Sequence, residues 1–104
     1  MKNISQDEFK KLAEDKSYTI IDVRTPKEWA EGIIPNAHTL DIKNQGKFIE
    51  EIQNYDKNGK YLMVCRSGGR SGNACSYMDS IGFAETFNLM GGMMAWTGEK
   101  VAPE

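Results

Sequence analysis

An α/β domain with a mostly parallel central sheet of about five short strands, flanked by helices on both faces, is the fold class this sequence predicts. Two observations carry that expectation. Short apolar runs such as Ile20-Ile21-Asp22-Val23 and Tyr61-Leu62-Met63-Val64 lack polar alternation, which is how strands buried on both faces read. Between the apolar runs lie stretches with apolar residues at helical spacing, and strand–helix alternation is the mark of a parallel sheet. The 104 residues show no repeat, no low-complexity tract and no linker, so residues 1–104 are expected to form a single unit.

Each element has a local reason. Ser5-Gln6-Asp7-Glu8 has the serine-to-glutamate spacing of a capping box, and Phe9, Leu12 and Ala13 come next at helical intervals. Residues 18–23 are apolar and β-branched and predict a buried strand that ends at Arg24. Thr25-Pro26-Lys27-Glu28 is a second capping box with proline at the first helical position, opening a helix that Gly32 and Pro35 keep short. Residues 37–40 are a weaker strand. Phe48, Ile49, Ile52 and Tyr55 form an apolar helical stripe closed by Asp56-Lys57-Asn58-Gly59, a turn-prone run. Residues 60–65 are the clearest buried strand. Gly68, Gly69 and Gly72 make the loop after Cys65 flexible, and Ala74, Tyr77, Met78 and Ile81 mark a helix that begins near Ser71 and stops at Gly82. A short strand at 85–87, the Gly91-Gly92 turn and a short helix holding Trp96 complete the order.

Composition narrows the function classes. Thirteen basic residues against fifteen acidic give a net charge of -2, with no basic field to hold a phosphate backbone, so no nucleic-acid partner is expected. The longest apolar runs, such as that ending Leu62-Met63-Val64-Cys65, fall far short of the ~20 residues that span a bilayer. The start is polar at once and lacks the apolar stretch of a secretory signal, so a cytoplasmic protein without a membrane partner is the expectation. Two cysteines and one histidine match no zinc spacing and make no disulfide scaffold. No metal and no organic cofactor is expected. The thiol itself is what remains.

The chemistry concentrates in Cys65-Arg66-Ser67-Gly68-Gly69-Arg70-Ser71. Only three arginines occur in the chain, and two fall within five residues after this cysteine. The strand delivers Cys65 to the carboxyl edge of the sheet, where α/β folds bind ligands. Gly68 and Gly69 let the backbone curl so that successive N–H groups point inward as an anion nest. The helix beginning beyond them adds its positive end. All of these favour thiolate over thiol, and such surroundings bring a cysteine from about 8.5 to roughly 3.5–7.5. Cys65 is therefore expected to be an ionised nucleophile at the mouth of a cationic cup. Arg66, Ser67, Gly68, Gly69 and Arg70 are expected to bind an anionic substrate there.

These residues resemble the rhodanese-like sulfurtransferase family over almost the whole chain. The family's loop of a cysteine and two arginines within a six-residue turn matches Cys65-Arg66-Ser67-Gly68-Gly69-Arg70. Its upstream pattern appears as Asp22-Val23-Arg24, Glu28-Trp29, Gly32 and Ile34-Pro35, and its downstream pattern as Leu89-Met90-Gly91-Gly92 with Trp96. Ile33 stands where the family usually has histidine, and Asn36 where it usually has glycine. The resemblance implies a rhodanese-like fold and a double displacement. Cys65 takes sulfur from a small anionic donor such as thiosulfate, becomes a persulfide, and passes the sulfur to cyanide or to a thiol or protein acceptor. Two alternatives stay open: a persulfide-carrying relay or regulatory binding module, and a cysteine phosphatase or arsenate reductase. The last needs five residues between cysteine and arginine, where four separate Cys65 from Arg70.

Other residues carry lesser roles. Asp22, Arg24 and Ser71 are expected to support the loop, Asp22 and Arg24 as a polar pair. Glu28 reads as a helix cap, because its spacing from Thr25 explains it. Cys75 reads as a small core residue, the alternative being a resolving thiol. His38 reads as structural. Met90, Met93 and Met94 read as core filling around a tight turn, or else as an apolar rim where an acceptor docks.

Overall fold

The structure, a computed structural model, describes residues 1–103. Among them five strands and five helices alternate. In chain order they are β1 (Lys2–Ile4), α1 (Gln6–Ala13), β2 (Tyr18–Asp22), α2 (Pro26–Trp29), β3 (His38–Thr39), α3 (Gln45–Ile52), β4 (Lys60–Val64), α4 (Gly69–Ser80), β5 (Glu85–Leu89) and α5 (Gly92–Ala95). The strands form one sheet in the order β1-β5-β4-β2-β3, and every pair in it is parallel. The expected α/β class is observed, with a sheet more uniform than "mostly parallel".

The apolar runs split between the two faces because side chains alternate along a strand. Tyr61 and Met63 join Ile21, Phe48, Ile52, Cys75 and Met78 in a core beneath α3 and α4. Leu62 and Val64 join Ile4, Phe9, Ile20, Leu89 and Met93 in a second core beneath α1 and α5. Helices thus cover both faces, and β4 lies at the centre with its carboxyl end opening toward the loop at Cys65. No helix among the described residues is long and apolar enough to cross a membrane.

Several boundaries differ from expectation. The strand Lys2–Ile4 carries no periodic signal, since only Ile4 of its three residues is buried. The helix after β4 starts at Gly69, two residues ahead of Ser71, because Gly68 caps it in a left-handed conformation at φ 103°. Trp96 lies just past α5 as its C-cap. Asn36 has φ 69°, a left-handed turn that asparagine tolerates better than most residues other than glycine.

Candidate active site

Cys65 follows the last residue of β4 and is 0% exposed. This corrects the expectation of a sulfur at the mouth of the cup: it lies at the floor, under the backbone of the loop. The loop closes over it for two reasons. The Gly68 N–H donates to Cys65 Sγ at 3.0 Å, and α5 grips the loop from outside. The N–H groups of Met93 and Met94 donate to the carbonyls of Cys65 and Arg66 at 2.9 and 3.0 Å. That grip requires glycine at 92, where φ is 54° and an added Cβ would lie 2.5 Å from Cys65 O and from Arg66 C and O.

Burial pushes the Cys65 thiol up. Hydrogen bonds from the Ser71 hydroxyl and from the N–H groups of Ser71, Gly68 and Ser67 outweigh it, so the thiol titrates below its ordinary value. The donors are the nest and the first turn of α4, which Gly68 leaves without a side-chain cap. The Ser71 hydroxyl and inward N–H groups, more than the two arginines, lower the thiol.

Ser71 is buried and central to this arrangement. Its Oγ lies 3.3 Å from Cys65 Sγ and 2.5 Å from Asn88 Oδ1. The hydroxyl carries one proton, so the sulfur and the amide compete for it. Asn88 in turn donates from Nδ2 to Gly68 O and to Asn3 Oδ1, both at 3.0 Å. Sequence reasoning missed Asn88 and Asn3. The available signal was an amide between Phe87 and Leu89 in an otherwise apolar stretch.

The remaining loop residues divide by exposure. Arg66, Ser67 and Gly69 are exposed, and the Arg66 guanidinium is in no ion pair among the described residues. Arg70 is half-buried and already engaged. Its Nη1 and Nη2 donate to Glu28 Oε1 and Oε2 at 2.7 and 2.8 Å. The Arg70 guanidinium beside Glu28 holds that carboxyl down at about 2. Glu28 does complete the capping box of α2 as expected, but it also reaches the loop.

Asp22 and Arg24 form the expected pair. Arg24 donates through Nε and Nη2 to the Asp22 carboxylate, at 2.8 Å for the shortest contact, and through Nη2 to Gly32 O at 2.8 Å. The pair is buried and ties the end of β2 to the segment after α2. Cys75 is 0% exposed, and burial pushes its thiol up to about 12, which makes it a poor nucleophile. His38 is exposed and shares a hydrogen bond with the Tyr55 hydroxyl. Met93 is buried, whereas Met90 and Met94 are exposed. A cavity of about 720 Å³ lies against the start of β2 and α1, and no cysteine lines it. Among the described residues no His, Cys, Asp and Glu side chains cluster to hold a metal.

The chain matches the rhodanese-like domain over residues 5–99. The chain belongs to the rhodanese-like domain family. Among its relatives, YtwF of Bacillus subtilis, named as a candidate sulfurtransferase, is 45% identical over 89 residues, which cover 86% of this chain and 82% of that one. The thiosulfate sulfurtransferase GlpE of Shewanella oneidensis is 32% identical over 95 residues, covering 91% of each. The crystal structure of a rhodanese-like domain protein from Staphylococcus aureus superposes with a TM-score of 0.85 at 37% identity, over 100% of both chains. The matched range of this rhodanese-like chain includes Cys65 and the loop that follows it.

Proposed function

We propose that the protein is a sulfurtransferase that carries sulfane sulfur as a persulfide on Cys65. The observation that carries this reading is the buried ring of donors on Sγ: the Gly68 N–H at 3.0 Å, the Ser67 and Ser71 N–H groups and the Ser71 hydroxyl. Such a ring stabilises sulfur in its anionic form without a general base. In the first step the Cys65 thiolate attacks the outer sulfur of the donor. A new S–S bond forms, the donor's own S–S bond breaks, and its electron pair leaves with sulfite when the donor is thiosulfate. In the second step cyanide or an acceptor thiolate attacks the outer sulfur of the persulfide, and the Cys65 thiolate is released.

Arg66 is the exposed cation that draws an anionic donor to the loop. Ser67 and Gly69 form the exposed side of the loop, and a Cβ at Gly69 would meet no other segment of the chain within 4 Å. Relatives named as sulfurtransferases support the same chemistry.

The test is the intact mass after incubation with thiosulfate. Wild type is expected to gain one sulfur atom, removable by cyanide, and Cys65→Ser none. A wild-type mass that does not change, or sulfur retained on Cys65→Ser, overturns the proposal.

A further inference from the structure

We propose, resting on the sulfurtransferase reading, that the Glu28–Arg70 ion pair selects sulfur donors by their charge. It holds the cup close to neutral and so favours donors with one negative charge over donors with two. Arg66 and Arg70 supply two positive charges around the loop. Glu28 and the ionised Cys65 supply two negative ones, while Asp22 and Arg24 cancel each other in their own buried pair. Arg70 stands close enough to feel the charges of Cys65 and Asp22 as well as that of Glu28. Both of its Nη groups face the Glu28 carboxylate, so its charge is compensated at contact distance before any anion arrives. Glu28 stays ionised throughout the neutral range because its carboxyl titrates at about 2. The neutralisation is therefore permanent under working conditions.

A dianion such as thiosulfate enters this cup with Arg66 as its one uncommitted guanidinium. A monoanionic persulfide or thiosulfonate loses less from the same neutralisation, because a fixed charge acts on it once instead of twice. In half-wet surroundings one unit charge at the rim changes the capture of each further unit of ligand charge by about tenfold.

The experiment compares thiosulfate with methanethiosulfonate. Both deliver their outer sulfur to Cys65, releasing sulfite and methanesulfinate respectively, and they differ by one negative charge. In Glu28→Gln the amide oxygen still accepts from Thr25, so the cap of α2 survives while Arg70 loses its counter-charge. The ratio of kcat/KM for thiosulfate to that for methanethiosulfonate is expected to rise about tenfold. Thiosulfate turnover should also become more sensitive to salt. The double variant Glu28→Gln with Arg70→Gln restores neutrality, and its ratio is expected to return to that of wild type. A ratio unchanged in Glu28→Gln, or one that stays raised in the double variant, overturns the inference. Failure of wild type to load sulfur from either donor overturns instead the reading on which it rests.

Discussion

Gly92 is the residue on which the loop's geometry depends most directly, and Gly92→Ala measures that dependence. The added Cβ would lie 2.5 Å from the Cys65 carbonyl oxygen and from the carbonyl carbon and oxygen of Arg66. All three are backbone atoms, so no flexible side chain can yield. Relief comes from parting α5 from the loop, which breaks the Met93 and Met94 hydrogen bonds to those two carbonyls. Two such bonds are worth about 1 kcal/mol each. Alanine held at φ 54° adds roughly 1–2 kcal/mol. The sum, about 3–4 kcal/mol, is a large part of the roughly 5–15 kcal/mol that holds a domain of this size together. Thermal unfolding followed by circular dichroism should show Tm lower by about 15–25 °C. The alkylation rate of Cys65 should change with it, since the carbonyls held by α5 set the path of the loop. Gly46→Ala is the control: it lies in α3 with nothing within 4 Å of its Cβ position, and should gain about 0.5–1 kcal/mol. A Gly92→Ala protein melting within about 3 °C of wild type, with unchanged alkylation, would refute the idea that α5 sets the loop.

Three further outcomes rest on individual contacts. Glu28 titrates at about 2 against 4.5 for the free side chain, so its contribution to stability is fully present above pH 4.5 and lost as pH falls through 2; Glu28→Gln should cost up to about 3 kcal/mol at pH 7 and little at pH 2, read from denaturant midpoints. Ser71→Ala removes the side-chain donor that most lowers the Cys65 thiol, so the midpoint of its alkylation pH profile should move upward, and an unmoved midpoint would show the backbone N–H groups to be sufficient. Asp22→Asn leaves the Arg24 guanidinium buried without its counter-charge, which should cost about 3–5 kcal/mol in urea unfolding.

The parts of the fold visible in the sequence were those with a dense local signal. β2 and β4 are built on short apolar runs, Thr25 and Glu28 close a capping box within one turn, and both features appear where expected. β1 was hidden because one buried isoleucine makes no period. Cys65 and its glycines were visible as a motif, but the depth of the sulfur was not, since it depends on α5, whose grip comes from residues 93 and 94. Glu28 is instructive in a different way. Its spacing from Thr25 accounted for it completely at short range, and that sufficiency concealed a partner 42 residues away. Asn88 was missed for the opposite reason: nothing near it in sequence gives an amide in a strand anything to do, and its partners come from β1, the loop and α4.

Asn3 ties β1 to the surroundings of Cys65 Sγ. Asn3 accepts from Asn88, Asn88 holds the Gly68 carbonyl, and the Gly68 N–H faces the sulfur. The margin of the sheet, where fraying is easiest, therefore communicates with the residue at its centre through a chain of amides. In practical terms, an affinity tag or fluorophore fused ahead of Lys2 is no bystander in a kinetic assay.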